Sequence, residues 1–202
     1  MRDEWYGDKR DLVKWSVLVH LARIYKSKII LQVAYFRPSN FPKIHIDGNE
    51  YPIPPEILSH FRDIHRIKEL GKRLADIEIK LLDVEFKDRD TYLKEIFKFV
   101  ALHEGQPRIV FLDPDTGLAP RIPNKNHVLD DEAEKIWGAL APGDVLVLYQ
   151  HQTNRKGQEW INEKRNQFAS ALKMLVKEIK EAFCFDIARD VVLFYVVKKP
   201  PK

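Results

Sequence analysis

Asp113 and Asp115 are the side chains whose type and spacing best suit chemistry in this 202-residue sequence. They lie in the segment Asp113-Pro114-Asp115-Thr116-Gly117, directly after a short apolar run. Two carboxylates on one tight turn can hold Mg²⁺ or Mn²⁺, because these ions favour oxygen ligands. His151 follows another apolar run and could serve as a general base or a further metal ligand. Since Pro, Asp and Gly are turn formers, a plain turn is the competing interpretation.

The paired carboxylates predict one reaction, the metal-dependent cleavage of a phosphate ester by a phosphoesterase or nuclease. A bound metal would lower the pKa of its water and offset the repulsion between the two carboxylates. His151 would then activate the water. Arg37, Lys14 and Arg155 would hold the phosphate oxygens.

Alternating helices and strands are predicted around these residues. Helices are expected at residues 8–25, 54–71, 90–102, 130–140 and 158–182. Strands are expected at residues 28–36, 77–86, 108–112, 145–149, 183–188 and 191–197, and residues 44–46 could form a short one. This alternation predicts one three-layer α/β domain over residues 1–202, with a mostly parallel sheet and a closing antiparallel pair. Ligands of such sheets bind outside the carboxyl ends of the strands, where the two aspartates and His151 fall.

Composition narrows the class of protein. The 45% apolar content predicts a packed core, and no apolar run approaches the length that a membrane helix needs. The charged start of the sequence is not followed by the apolar segment that is typical of a signal peptide. One cysteine, Cys184, excludes an internal disulfide and a cysteine-based zinc site, so we expect a cytoplasmic protein. The net charge of +4 mildly favours an anionic partner.

The order of helices and strands, with its terminal antiparallel pair, resembles the fold of S-adenosylmethionine-dependent methyltransferases. Two segments are similar to motifs of the adenine-specific DNA methyltransferases. Trp5-Tyr6-Gly7-Asp8-Lys9-Arg10-Asp11-Leu12, leading into a helix, is similar to their opening motif. Phe111-Leu112-Asp113-Pro114-Asp115-Thr116 is similar to their Asp-Pro-Pro-Tyr catalytic loop.

This resemblance implies a methyltransferase-like, Rossmann-like protein that acts on nucleic acid with S-adenosylmethionine. Lys9 would contact the carboxylate of the cofactor, while Asp113 and the carbonyl of Pro114 would accept the hydrogens of the target amine. The candidate cofactor-binding residues are then Gly7, Asp8, Lys9 and Tyr35. The candidate catalytic residues are Asp113, Pro114, Asp115 and His151.

The sequence departs from that family at two places. Asp115 and Thr116 stand where the family has its second proline and its aromatic residue. The turn after the first strand, Tyr35-Phe36-Arg37-Pro38-Ser39, contains no glycine, although glycine lets a backbone approach a cofactor closely. Large side chains are therefore expected to crowd the cofactor at this turn.

Two further resemblances rest on short patterns. The apolar-Asp-x-Asp pattern is similar to that of the haloacid dehalogenase-like phosphatases, whose motif continues Gly-Thr where this sequence has Thr116-Gly117. The chain also resembles an uncharacterised group of microbial and phage-like proteins that combine three motifs. These are Gly7-Asp8 with Lys14, the Asp-Pro-Asp-x-Gly segment, and Tyr149-Gln150-His151. This second resemblance implies no known activity.

Basic residues predict how nucleic acid would be held. Arg155 and Lys156, with Trp160 shortly after them, could combine phosphate contacts with a stacking ring. Arg37 and Lys14 would add further phosphate contacts. The same groups would suit a non-catalytic nucleic-acid-binding module, which is the alternative from a different functional class.

Overall fold

The computed structural model describes residues 7–37, 44–46, 49–51, 64–152 and 159–200. The helices are α1 (Lys9–Ile24), α2 (Ile67–Arg73), α3 (Arg89–Ala101), α4 (Asp130–Gly138) and α5 (Glu159–Ala171). The strands are β1 (Ile29–Val33), β2 (Ile44–Ile46), β3 (Asn49–Tyr51), β4 (Glu78–Leu81), β5 (Arg108–Leu112), β6 (Gly117–Leu118), β7 (His127–Val128), β8 (Val145–His151), β9 (Lys180–Ala182) and β10 (Val191–Val197). Single 3-10 turns lie at Ile64–Arg66 and Val176–Glu178.

A six-stranded sheet in the order β4-β1-β5-β8-β10-β9 forms the middle layer. The first four strands run parallel, and β10 pairs antiparallel with both β8 and β9. Strands β1 and β5 are buried along their whole length, as expected for parallel strands covered on both faces. The mostly parallel sheet and its C-terminal antiparallel hairpin confirm the predicted α/β fold of methyltransferase type.

Helices cover both faces of this sheet and create two apolar cores. On one face, α1 and α2 pack against the side chains of Ile30, Ile109 and Val147. On the other face, α3, α4 and α5 pack against a second set that includes Leu31 and Leu148. None of the helices within the described residues has the length and apolar character that crossing a bilayer requires.

Helix α1 begins where the sequence predicts it, because Asp8 caps it. The Asp8 carboxylate accepts hydrogen bonds from the backbone N–H groups of Arg10 and Asp11. These are two of the donors that the first turn of a helix leaves without an intrahelical partner. The cap therefore fixes where the first turn of α1 begins.

Two predictions near the C-terminus are wrong. The helix predicted to run to residue 182 ends at Ala171, because Lys173 adopts a left-handed backbone with φ of 54° and Met174 N–H bonds back to Ala169 O. This is a common way for a helix to stop, although it usually employs glycine. The strand predicted at residues 183–188 lies earlier, at Lys180–Ala182. The chain then turns, with Cys184 O accepting two backbone N–H groups.

Strands β1 and β4 are shorter than predicted, and one predicted helix is described only in part. Strand β4 ends at Leu81, although the next residues stay extended and Leu82 N–H still bonds to Gln32 O. The helix predicted at residues 54–71 is described only from Ile64, where a 3-10 turn leads into α2. Its first part lies outside the described residues.

Candidate functional site

Asp113 lies at the carboxyl end of β5, which has β1 and β8 as its neighbours. Its backbone N–H donates to Val33 O at 2.9 Å, and this hydrogen bond between β1 and the end of β5 holds the residue in place. The ends of β1, β5 and β8 therefore meet at one edge of the sheet. This is the location where the sequence predicted a ligand site.

The Asp113 carboxylate is buried, with 1% of the residue exposed, and is bound by two side chains. Lys14 Nζ lies 3.1 Å from Oδ1 and 3.3 Å from Oδ2, and Gln32 Nε2 donates to Oδ2 at 2.9 Å. A carboxylate can accept about four hydrogen bonds, so further acceptor capacity remains. These contacts hold the side chain in one orientation.

Lys14 also binds a second carboxylate, that of Asp11, with Nζ 2.5 Å from Oδ1. Burial lowers the pKa of Lys14, but the charges of Asp113 and Asp11 outweigh it and raise the pKa well above its usual range. Burial and the nearby charge of Asp113 raise the pKa of Asp11, against the opposing effect of Lys14. Two carboxylates thus share one ammonium, which leaves this buried cluster with an excess negative charge when all three groups are ionised.

Asp115 is held by a different cation, Arg37. The Arg37 guanidinium also donates from Nη2 to Asn126 Oδ1 at 2.7 Å, which ties the loop after β5 to the chain ahead of β7. Both aspartates of the predicted metal pair are therefore engaged with cationic side chains. Within the described residues, no three His, Cys, Asp or Glu side chains are grouped so that they could hold a metal ion.

Gln150 fixes the loop that carries the two aspartates. Its Oε1 accepts from Leu118 N–H at 2.9 Å, and its Nε2 donates to Thr116 O at 3.0 Å. Gly117, between them, has φ of 107°, and a Cβ on it would lie 2.3 Å from Gln150 Oε1. The glycine is required both by its backbone conformation and by the glutamine packed against it.

His151, the last residue of β8, is bonded to Asp190, which immediately precedes β10. The distance from His151 Nε2 to Asp190 Oδ2 is 2.9 Å. Arg10 donates to the same oxygen from Nη2 at 2.6 Å and from Nε at 3.2 Å. Burial raises the pKa of Asp190, but the hydrogen bonds from Arg10 and His151 outweigh it and lower the pKa to about 2.

These groups surround one cleft of about 310 Å³, near the lower end of the range for small-ligand sites. The lining residues are Asp8, Arg10, Asp11, Lys14, Asp113, Pro114, Asp115, Thr116, Tyr149 and His151. Four of them are carboxylates and two are cationic, so the formal charge of the lining is −2 with His151 neutral. The cleft is thus acidic in a chain whose net charge is +4.

The structure brings together all four predicted catalytic residues, because Asp113, Pro114, Asp115 and His151 line this cleft. Of the predicted cofactor-binding residues, Asp8 also lines it, and Gly7 donates its N–H to Asp11 Oδ2 at 2.5 Å. The exposed Lys9 follows Asp8 in the first turn of α1.

Tyr35 has a different environment. It is buried, 1% exposed, with its ring packed against Phe86 and Tyr92, and its N–H donates to Tyr92 Oη at 2.9 Å. Its φ of 48° is the left-handed conformation that glycine adopts most readily. Tyr35, Phe36 and Arg37 are not among the residues that line the cleft.

Of the predicted nucleic-acid residues, the structure describes Lys14, Arg37 and Trp160. Trp160 is 2% exposed and belongs to the core beneath α5, so its ring cannot stack on a base in this conformation. Lys14 and Arg37 form the ion pairs with Asp113 and Asp115. Arg155 and Lys156 lie outside the described residues.

Sequence reasoning missed four side chains of the site, which are Arg10, Asp11, Gln32 and Asp190. Gln32 carried a readable signal, because a single polar residue inside a strand buried on both faces must find a partner. Asp11 lies within the helix predicted at residues 8–25, and nothing local to it indicates a partner in the site. Asp190 lies between the strands predicted at residues 183–188 and 191–197, and nothing local to it indicates His151 as its partner.

Comparison with known proteins adds little to this geometry. No family model matches the chain, and no curated protein matches it. A solved structure of a DUF574 family protein from Streptomyces avermitilis covers 95% of this chain and 82% of its own, at 10% identity and a TM-score of 0.40. A similarity this weak supports no functional argument, so the fold assignment rests on the strand order and directions of the sheet.

Proposed function

We propose that this chain is a methyltransferase-like protein that binds S-adenosylmethionine in the acidic cleft and methylates an amine of a nucleic acid. One observation carries the proposal: Asp113 lies at the carboxyl end of a central strand, in a cleft whose lining has a formal charge of −2. The sulfonium of the cofactor is positively charged, so the cleft is complementary to it. Phosphate groups would be repelled by the same lining, whereas the neutral amine of a base would not.

The residues present fit this cofactor in the chemistry of their side chains. Asp11 and Asp113 would face the positive charge, because Lys14 neutralises only one of these two carboxylates. Lys9 and Arg10 would hold the cofactor carboxylate at the first turn of α1, where the helix dipole favours an anion. When bound, the cofactor supplies an electrophilic methyl group.

The target amine would be oriented by Asp113 and Pro114. An exocyclic amine of a base is a weak nucleophile because its lone pair is delocalised into the ring. The free acceptor positions of Asp113 and the carbonyl of Pro114 would take its hydrogens and favour a tetrahedral nitrogen. Lys14 and Gln32 keep the Asp113 carboxylate from turning away, so the orientation is set before the substrate arrives.

Calorimetry with two ligands tests the proposal. S-adenosylmethionine should bind more tightly than S-adenosylhomocysteine, because the second ligand is a neutral thioether. Asp113→Asn should reduce this preference, whereas the control Asp131→Asn, an exposed residue of α4 paired with Lys135, should not. Absence of binding by folded wild-type protein at millimolar cofactor would overturn the proposal.

Transfer to nucleic acid is tested separately with a radiolabelled methyl group, offered with single-stranded DNA, duplex DNA and RNA. The metal-dependent alternative has its own measurement. Mg²⁺ or Mn²⁺ at a hundred times its dissociation constant should stabilise a protein that binds it by about 2.7 kcal/mol. An unchanged melting temperature together with cofactor binding would exclude that alternative.

A further inference from the structure

His151 and Asp190 are held together by the sheet itself. His151 ends β8 and pairs in register with Val191, the first residue of β10, so Asp190 lies next to it across the strands. A backbone hydrogen bond also joins the two segments, since the N–H of Gln152, the residue after His151, donates to Asp190 O at 2.8 Å. His151 is the last residue of one strand and Asp190 immediately precedes the neighbouring strand, so the sheet fixes the geometry of the pair better than two loops would.

The charge state of Asp190 determines which nitrogen of His151 carries the proton. With a pKa of about 2, Asp190 is ionised at neutral pH and acts only as an acceptor. The neutral imidazole therefore donates its Nε2–H to Oδ2 of Asp190. Nδ1 is then the ring nitrogen with the lone pair.

His151 is also better suited than Asp113 to accept a proton from a ligand. The side chain of His151 is 31% exposed and lines the cleft, so a proton it receives can pass to water. Asp113 is buried, and its oxygens accept hydrogen bonds from Lys14 and Gln32 that protonation would weaken.

We propose that His151 is the general base of the reaction and accepts at Nδ1 the proton that the target amine loses, with Asp190 as its positioning residue. The inference rests on the proposed function. In the step, the amine nitrogen forms a bond to the methyl carbon while the bond from carbon to sulfur breaks and its electron pair stays on sulfur. The N–H bond then breaks, and its proton moves to His151, which becomes an imidazolium beside the Asp190 carboxylate and later releases the proton to water.

The test measures cofactor affinity and single-turnover methyl transfer on the same set of variants. His151→Gln should bind S-adenosylmethionine within about twofold of wild type but transfer methyl roughly a hundredfold or more slowly, the usual contribution of a general base. His20→Gln, an exposed histidine of α1 outside the cleft, is the matched control and should keep the wild-type rate.

Chemical rescue separates a proton-accepting role from a structural one. His151→Gly should regain part of its rate when imidazole is added, because the free base can enter the space that the side chain leaves. Asp190→Asn should lower the turnover rate, and imidazole should not restore it, because the histidine is still present.

The outcomes distinguish this inference from the function on which it rests. A wild type that binds no cofactor overturns the proposed function and the inference together. A wild type that transfers methyl while His151→Gln keeps the full rate overturns the inference alone. Slow transfer by His151→Gly that imidazole leaves unchanged also overturns it.

Discussion

Replacing Lys14 with methionine should cost the fold several kilocalories per mole. The ammonium lies within 3.3 Å of both Asp113 oxygens and 2.5 Å from Asp11 Oδ1, and all three side chains are buried. Removing one partner of a buried pair typically costs 3–5 kcal/mol. Here two carboxylates lose their cation, but protonation of Asp11 limits the penalty, so we expect a loss of about 4 kcal/mol at pH 8. With a urea m-value of about 2 kcal/mol/M, the midpoint should fall by about 2 M.

The pH dependence of this loss gives the sharper test. The pKa of Asp11 is already raised in the folded protein, and without Lys14 it should rise further. The folded variant then binds more protons than the unfolded one, so its stability increases as the pH falls. The destabilisation should therefore be smaller at pH 5 than at pH 8, and adding Asp11→Asn should restore part of the stability. A loss below about 1 kcal/mol, the range of exposed pairs such as that of the control Lys135→Met, or a loss equal at both pH values, would refute the argument.

Three further perturbations test other parts of the structure. Gly117→Ala should destabilise the fold by about 2 kcal/mol, because the alanine Cβ would meet Gln150 Oε1. The loss should be smaller when Gln150 is also replaced by alanine, and thermal unfolding of the single and double variants measures both losses. Arg108→Met should lower the free energy of unfolding in urea by about 3–5 kcal/mol, because it leaves the buried Asp144 carboxylate without its cation. Cofactor affinity should be unchanged, because this ion pair lies at the amino end of β5, away from the cleft. Asp190 has a folded pKa of about 2 against an ordinary value of 3.8, so it stabilises the fold above pH 4 and loses this effect as the pH falls through 2. Allowing for solvent screening, the stability difference between wild type and Asp190→Asn should be about 1 kcal/mol at pH 6 and should narrow towards pH 2.

The parts of the fold that follow from local sequence were predicted well. Strand β5 has the predicted bounds, because a continuous apolar run ends there in a turn segment. Helix α1 begins after Asp8, a strong N-cap residue, and its buried positions, among them Trp15, Leu18 and Ala22, repeat with the period of a helix. In both cases the signal lies within a few residues of the element that it specifies.

The wrong predictions, of the end of helix α5 and of the position of strand β9, have a different origin. Nothing in the basic amphipathic sequence after Glu159 indicates a stop at Ala171, because Lys173 takes a left-handed conformation without being glycine or asparagine. The end of this helix is therefore not set by local sequence. Strand β9, which follows, pairs with β10 at residues that the local alternation of apolar and polar side chains does not reveal. The contacts of the site are equally remote, since Gln32 and Asp113 are 81 residues apart.

The two motifs around the cleft form one physical unit. Both the oxygen and the nitrogen of the Gln150 amide form hydrogen bonds with the loop that carries Asp113 and Asp115. The same amide fills the space that a side chain at position 117 would need. A glycine four residues after Asp113 is therefore needed for two reasons, its positive φ and the close approach of the glutamine that precedes His151. The same strand that clamps the loop then presents His151 to the cleft one residue later. The position of the loop and the position of His151 are thus set by adjacent residues of β8, so a change that shifts one should shift the other.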